Sequence, residues 1–582
     1  MFRSAARIVT SRLPLASRRA FVTSRTRLVS VGLTQASERA QNRTLFNVTA
    51  RHMSSLEAAS HTEPLPSGLK TVLSENGLDV RIYYLECLAQ ATYLITHEGN
   101  AMIVDPRRDV DAFIEDLKTL KCSLKGVMET HFHADFVSGH CELMQRTGAP
   151  IYFGPGSAGR AKFTHHELKD GEVIDFSSQY AFHVVHTPGH TPESVVYLLI
   201  DKTKENKPLK AFTGDTLFVG SCGRPDLVGS LGYTAEEMAK LMFYTLKTKI
   251  CTLPDDVQVF PAHGKGSPCG KGISGDLYST IGKEKLTNPA LQFDNEAKFV
   301  KYLTEDQPVT PQYFLHDVKT NLEGATSVEE EIAKVQHASA KEFKSLLDEG
   351  TYVVIDTRDT SDFLAAHVSG ALSFPLGSAG GTIVGVQDGN FAIWVGTMVS
   401  PNAKLLVITA PGRELEALQR LTRIGYNQIK AVLDGGFSAY SSAGYPVCTE
   451  KRLNLKDGVK VSDLITNGDI LLDMRTPGEY QTNSVKGAIN LPITSVYKGL
   501  NSLDKSKTYV AFCAGGYRSG IASSILRAEG FKVVDIFGGF AAISTYEPAV
   551  TTTGVVCPTM KGRIELLEKA LNCCIYSLLC MA

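Results

Sequence analysis

From about Val335 onward the chain runs through one pattern twice. Tyr352-Val-Val-Ile-Asp-Thr-Arg358 answers Ile470-Leu-Leu-Asp-Met-Arg475, each an apolar run closed by an acid and an Arg. His367-Val-Ser-Gly-Ala-Leu-Ser-Phe-Pro375 answers Ser484-Val-Lys-Gly-Ala-Ile-Asn-Leu-Pro492. Lys404-Leu-Leu-Val-Ile408 answers Thr508-Tyr-Val-Ala-Phe512, and Asp434-Gly-Gly-Phe437 answers Phe537-Gly-Gly-Phe540. Short buried strands alternating with amphipathic helices at this spacing predict a small parallel α/β domain, built twice.

The copies differ where chemistry would sit. The second reads Cys513-Ala-Gly-Gly-Tyr-Arg518-Ser519, between a strand at Tyr509–Phe512 and a helix expected from about Gly520 to Glu529. A thiol there faces helix N–H groups whose partial positive charge favours a thiolate. Gly515 and Gly516 let the backbone curl round the sulfur, and Arg518 adds a cation. The first copy reads Thr409-Ala-Pro-Gly-Arg413, and a Thr hydroxyl holds no transferable sulfur. The pattern resembles the rhodanese fold, with a silent domain at 335–450 and an active one at 458–552. The resemblance implies that Cys513 is a sulfurtransferase nucleophile.

A second signal lies upstream. An apolar run, Leu124–Met128, leads into Thr130-His131-Phe132-His133-Ala134-Asp135-Phe136. Thr187-Pro-Gly-His190, Phe212-Thr-Gly-Asp215 and Pro261-Ala-His263-Gly264 follow in order. Imidazoles and carboxylates in ordered loops at strand ends suggest a metal centre, although zinc and iron both accept such donors.

With Ser221-Cys-Gly-Arg224-Pro-Asp226 and Ser279-Thr-Ile-Gly-Lys-Glu-Lys-Leu-Thr-Asn-Pro289, this series resembles the persulfide dioxygenase branch of the metallo-β-lactamase superfamily, kin of glyoxalase II. The resemblance implies an αββα sandwich, expected over residues 77–320. It also implies one Fe(II) per chain, held by His131, His190 and Asp215, with positions open to dioxygen and a persulfide sulfur. In the two-metal members the motif H-x-H-x-D-H ends in a His. Phe136 stands there, so one metal fits better than two. His133, Asp135 and His263 are then expected to orient ligands or substrate, and Arg224 to grip the anionic end of the thiol carrier.

A chain of 582 residues suits three or four domains. Its net charge of −1 argues against a nucleic-acid partner, and no apolar run reaches the length of a membrane span. Arg3, Arg7, Arg12, Arg18, Arg19, Arg25 and Arg27 sit among Ser and Thr, with no acid before Glu38. Residues 1–52 therefore read as a mitochondrial transit peptide with an open cleavage site; a disordered basic tail shares this composition. Twelve cysteines without CxxC pairs suit a reducing compartment such as the mitochondrial matrix. The tail 553–582, with Cys573, Cys574 and Cys580, is given no role. Asp294 to Lys334, poor in Gly and Ser, is expected to be an ordered connection.

The domain order also resembles fused sulfide-detoxifying enzymes. The expected activity is oxidation of glutathione persulfide, or a similar thiol persulfide, by O2 to sulfite. Cys513 would exchange sulfane sulfur with sulfite and thiosulfate. Two alternatives stand beside it: a glyoxalase II-like thioester hydrolase, and a sulfur-carrier module with a decayed metal site. The thiol carrier, the direction of transfer and the oligomeric state stay open.

Overall fold

The computed structural model describes residues 68–377, 382–383, 386–387 and 390–553. The expected transit peptide and the tail from 554 lie outside the described residues.

Two sheets face one another in the N-terminal half. The first runs in chain order through Leu69–Glu75, Leu78–Leu85, Gln90–His97, Asn100–Val104, Ser123–Met128, Ile151–Phe153 and His166–Glu167. Its first strand begins ahead of the expected boundary at 77. The second sheet is ordered Ser279–Thr280, Gln258–Pro261, Lys207–Gly214, Val195–Asp201, Tyr180–His186 and Val173–Asp175.

Side-chain alternation explains the layering. In Val195–Asp201 the odd positions Val195, Tyr197 and Leu199 enter the core between the sheets. Val196, Leu198 and Ile200 enter a second core beneath the helices Ala235–Thr245 and Glu296–Thr304. Both faces of this strand are buried, so it reads as an unbroken apolar run. On the far side Leu94, Ile103 and Val127 pack against the helix Asp111–Thr119 through Phe113 and Leu117. The result is a helix–sheet–sheet–helix sandwich.

Each repeat forms a five-stranded parallel sheet of the same order. The first is Gln336–Ala338, Ile429–Leu433, Leu405–Ile408, Val353–Asp356 and Leu372–Ser373. The second is Arg452–Leu453, Lys532–Ile536, Thr508–Phe512, Ile470–Asp473 and Ile489–Asn490. The edge strand Arg452–Leu453 lies ahead of the expected start at 458. The repeated D-x-R and G-G-F motifs meet in space. Arg358 pairs with Asp356 and stacks on Phe437 at 4.0 Å, while Arg475 pairs with Asp473 and stacks on Phe540 at 4.0 Å.

The connection from 294 to 334 is built from the helices Glu296–Thr304, Phe314–Glu323 and Val328–Ile332. One apolar cluster links the three domains, holding Phe136, Phe218 and Tyr313 with Phe391 and Val395 of the first repeat and Ile521 of the second. Arg423 of the first repeat clamps Asp109 through two bonds of 2.8 Å, and its carbonyl accepts from Val137 N. No helix among the described residues is long and apolar enough to cross a membrane.

Candidate metal centre and thiol loop

Four chain segments deliver the candidate metal-binding side chains. Ser123–Met128 ends at the loop carrying His131, His133 and Asp135, and Lys207–Gly214 delivers Asp215. His190 follows Tyr180–His186, and His263 follows Gln258–Pro261. Asp105, at φ +49, closes the strand Asn100–Val104. It accepts from Thr130 N at 2.7 Å and Thr130 Oγ1 at 2.9 Å, which pins the start of the loop.

His131, His190 and Asp215 converge, all buried. Thr130 Oγ1 lies 3.0 Å from His131 Nδ1, and the Arg224 carbonyl lies 2.8 Å from His190 Nδ1. Those contacts occupy the outer nitrogens and leave each Nε2 turned inward. Asp215 Oδ2 is 3.3 Å from His190 Nε2 and 4.0 Å from His131 Nε2. Burial, with neighbouring imidazoles adding to it, holds His131 well below the usual histidine range and His190 down to about 3. Both rings are therefore neutral donors, the form a metal binds. Burial and the nearby Asp135 push the Asp215 carboxyl well above its ordinary range. Both Asp215 oxygens lack a hydrogen-bond partner, which in a buried carboxylate calls for a cation. The donor set fits a divalent metal.

His133 falls within ligand reach of Asp135 and His263, but its Nε2 pairs with other acids. Its Nε2 lies 3.1 Å from Asp105 Oδ1 and 3.4 Å from Glu129 Oε2. Burial opposes its charge, but the two carboxylates outweigh burial and hold the ring well above the usual range. It is an imidazolium between two acids. Asp135 and His263 line the other side of Asp215, with His263 Nε2 3.4 Å from Asp135 Oδ2 and 3.5 Å from Asp215 Oδ1. Burial lifts Asp135 to about 6 and lowers His263 to about 3.

Arg224 does not offer its charge to a substrate. It is 1% exposed, salt-bridged to Asp226, and donates to the carbonyl of Pro268 and to Thr310 Oγ1. The expected grip on the thiol carrier is corrected to an internal clamp. The Arg224 backbone receives His190 and donates to the Cys269 carbonyl, while Gly223 N donates to the Asp215 carbonyl. A Cβ on Gly223 would collide with that carbonyl. This segment ties the pocket together.

Sequence reasoning missed Cys269. Buried beside the centre, its thiol falls within ligand reach of Asp215 and His263. Burial, Asp135 and Asp215 raise it well above the ordinary thiol range. Asn321, in the connecting helix, also went unseen. The one available signal for Cys269 was its place six residues after His263 in a Gly-, Ser- and Pro-rich loop.

In the second repeat Cys513 is 1% exposed, and its Sγ accepts from Gly516 N at 3.1 Å. The helix behind it spans Tyr517–Ala528, starting three residues before the expected Gly520. Gly516, at φ +100, caps it in a conformation that L residues with a Cβ rarely adopt. Arg518 is held by Glu479 through bonds of 2.7 and 2.8 Å beside the thiol. In the first repeat Thr409 is buried at the matching strand end.

The Rhodanese-like domain model matches residues 339–443 and 459–545, and the Metallo-beta-lactamase superfamily model matches 85–263. Persulfide dioxygenase ETHE1, mitochondrial, of Homo sapiens is 30% identical over 237 residues, spanning 40% of this chain and 82% of that protein. A solved metallo-beta-lactamase from Staphylococcus aureus subsp. aureus COL is 31% identical with a TM-score of 0.51, covering 61% of this chain and 99% of the other. The chain belongs to the metallo-beta-lactamase superfamily. Two rhodanese-like domains follow its metallo-beta-lactamase domain. Hydroxyacylglutathione hydrolase GloC of Haemophilus influenzae (strain ATCC 51907 / DSM 11121 / KW20 / Rd) is 29% identical over 216 residues, 33% of this chain and 88% of that protein. Dioxygenase and hydrolase relatives of this superfamily member thus stand at similar identity.

Proposed function

We propose that this protein oxidises a low-molecular-weight thiol persulfide, glutathione persulfide being the first candidate, with O2 to sulfite, and exchanges sulfane sulfur through Cys513. The observation carrying this reading is a two-imidazole, one-carboxylate centre on the same chain as a rhodanese thiol loop. Ferrous ion, the metal we propose for that centre, supplies open coordination positions and redox chemistry toward dioxygen when bound. His131, His190 and Asp215 would hold it.

The chain's own residues set the geometry. Thr130 and the Arg224 carbonyl fix the two rings, so little reorganisation is left for the bound state. Phe136 lies where a second-metal His would stand and packs its ring on His133 at 4.3 Å. With Phe218, whose ring lies 6.0 Å from that of His263, and Tyr313 it belongs to an apolar cluster that keeps the surroundings of the metal loop water-poor.

In the thiol loop, the Cys513 thiolate attacks the outer sulfur of a persulfide. The new S–S bond forms as the old one breaks, and the thiol carrier leaves with the proton. A sulfite lone pair then takes the outer sulfur as thiosulfate and restores the thiolate; the reverse direction uses the same groups. Gly516 N and the helix N-terminus stabilise the sulfur anion in either direction.

A thioester hydrolase is the second reading, favoured by the hydrolase relatives. Oxygen uptake by the iron-loaded chain on glutathione persulfide, measured beside hydrolysis of lactoylglutathione, separates the two. Uptake without hydrolysis is expected; fast hydrolysis without uptake overturns the proposal. On the composition of residues 1–52 we place the protein in the mitochondrial matrix, a proposal that an import assay tests.

A further inference from the structure

The thiol loop of the second repeat is gripped by a residue from outside it. Gly516 N donates to Cys513 Sγ at 3.1 Å, and the Gly516 carbonyl accepts the first bond of the helix Tyr517–Ala528, from Gly520 N at 3.2 Å. Arg452 Nη2 donates to that same carbonyl at 2.6 Å. Its Nε donates to Asp535 at 2.8 Å, and its guanidinium lies over the Phe537 ring at 5.4 Å. Arg452 and Asp535 are in-register neighbours on adjacent strands, and the Asp535 side chain is fully buried. The planar fork thus spans a fixed acid on one side and the loop peptide on the other. A Cβ on Gly516 would meet Arg452 Nη2 at 2.7 Å, so the glycine admits the arginine as well as the φ of +100. The stretch carrying Arg452 is itself anchored in the first repeat. His367 and Cys448 exchange backbone bonds of 2.9 and 2.8 Å, and Glu450 N donates to the Leu364 carbonyl at 2.8 Å.

We propose that Arg452 is a positioning residue for sulfur transfer at Cys513: by holding the Gly516 carbonyl it keeps Gly516 in the conformation that turns its N–H toward the sulfur. The inference rests on the proposed role of Cys513 and adds a residue that acts on the thiol through another. A glycine has more backbone freedom than any other residue, so an unheld Gly516 would leave its N–H aimed at the sulfur only part of the time. A bond from a backbone N–H to an anion is among the stronger ones, and its loss costs the thiolate more than the thiol. Arg518, pinned by Glu479, is the loop's own cation. Arg452 is different in kind: its charge is paired with Asp535, and its contribution is the geometry of one peptide.

The test follows the Cys513 thiolate in the full chain by its ultraviolet absorbance, taken as the difference between each protein and its Cys513→Ser counterpart. The scan runs from about pH 5 to about pH 9, around the ordinary thiol range. Arg452→Lys keeps a cation beside Asp535 but loses the fork that reaches both partners. Its thiolate midpoint should lie about one pH unit above the parent's, roughly a tenfold loss of thiolate near neutral pH. In sulfur transfer from thiosulfate to cyanide, kcat should fall about tenfold with KM for thiosulfate within about twofold. Arg452→Met should go further in the same direction; should it fail to fold because Asp535 is left unpaired, Arg452→Lys decides. A Lys variant whose thiolate profile and kcat overlay the parent's would overturn the assignment, as would a loss confined to the unfolding midpoint. If the parent itself passes no sulfur to cyanide, the sulfurtransferase reading fails, and the thiolate profile still decides whether Arg452 governs the thiol.

Discussion

Asn321 donates from its side-chain amide to the carbonyl of His133 at 2.8 Å, reaching the metal loop from the helix that leads out of the metallo-beta-lactamase domain. The same amide donates to the Phe136 carbonyl at 2.9 Å, and its oxygen accepts from Ser138 N at 2.8 Å. One side chain thus satisfies three backbone groups of a buried loop. Asn321→Leu leaves all three unpaired, each costing about 1–3 kcal/mol. Metal affinity should fall about 10–100-fold, read by competition with a chelator, although Asn321 approaches no metal ligand atom.

Asp215→Asn should abolish oxygen uptake and sharply lower iron content, because the triad loses its only anion. His133→Gln should retain metal better, since His133 turns toward Asp105 and Glu129. Metal analysis of the purified variants checks the order. An empty His133→Gln protein beside a filled His190→Ala protein would reverse the ligand assignment.

Arg224→Met should act through stability and metal retention. The guanidinium is buried, and its loss leaves both Asp226 oxygens without their partner at a cost of about 1–3 kcal/mol. The unfolding midpoint and the bound iron should both drop. A raised KM with unchanged stability would restore the substrate grip expected from sequence.

Cys513→Ser should separate the two chemistries. The hydroxyl stays protonated near neutral pH, so no enzyme persulfide forms, while the proposed iron centre, in another domain, should keep consuming oxygen. Products should shift from thiosulfate-containing mixtures to sulfite, and thiocyanate formation with cyanide should vanish. Product analysis during persulfide turnover measures both.

The Asp109–Arg423 clamp gives a pH signature. Burial opposes ionisation, but Arg107 and Arg423 outweigh it and lower the Asp109 carboxyl to about 2. A lowered folded-state value stabilises the protein above the unfolded value near 4, and that contribution drains away as pH falls toward 2. Asp109→Asn should therefore be less stable than the parent by roughly 2–3 kcal/mol at pH 7. The gap should close between about pH 4 and pH 2 in urea unfolding. A gap that persists at pH 2 would assign the loss to packing.

The fold was largely legible because its signals are local. Strands with both faces buried read as apolar runs, and Asp356, Arg358 and Phe437 recur as Asp473, Arg475 and Phe540. The residues of the metal pocket were legible as motifs at strand ends. What was not legible depends on contacts between distant segments. Arg224 read as an available cation until Asp226, Pro268 and Thr310 closed round it. Cys269 carries no motif, and its position beside Asp215 exists only once the loop after His263 folds back.

The apolar cluster joining Phe136, Tyr313 and Phe391 also sets a schedule for synthesis. Phe136 leaves the ribosome some 250 residues before Phe391, a later member of its cluster. At ordinary translation speeds that is roughly 10–50 s during which the wall beside the metal loop faces solvent. The first rhodanese-like repeat, which carries Phe391, completes that cluster only late in synthesis. A chain ending before it should be aggregation-prone whatever its metal content.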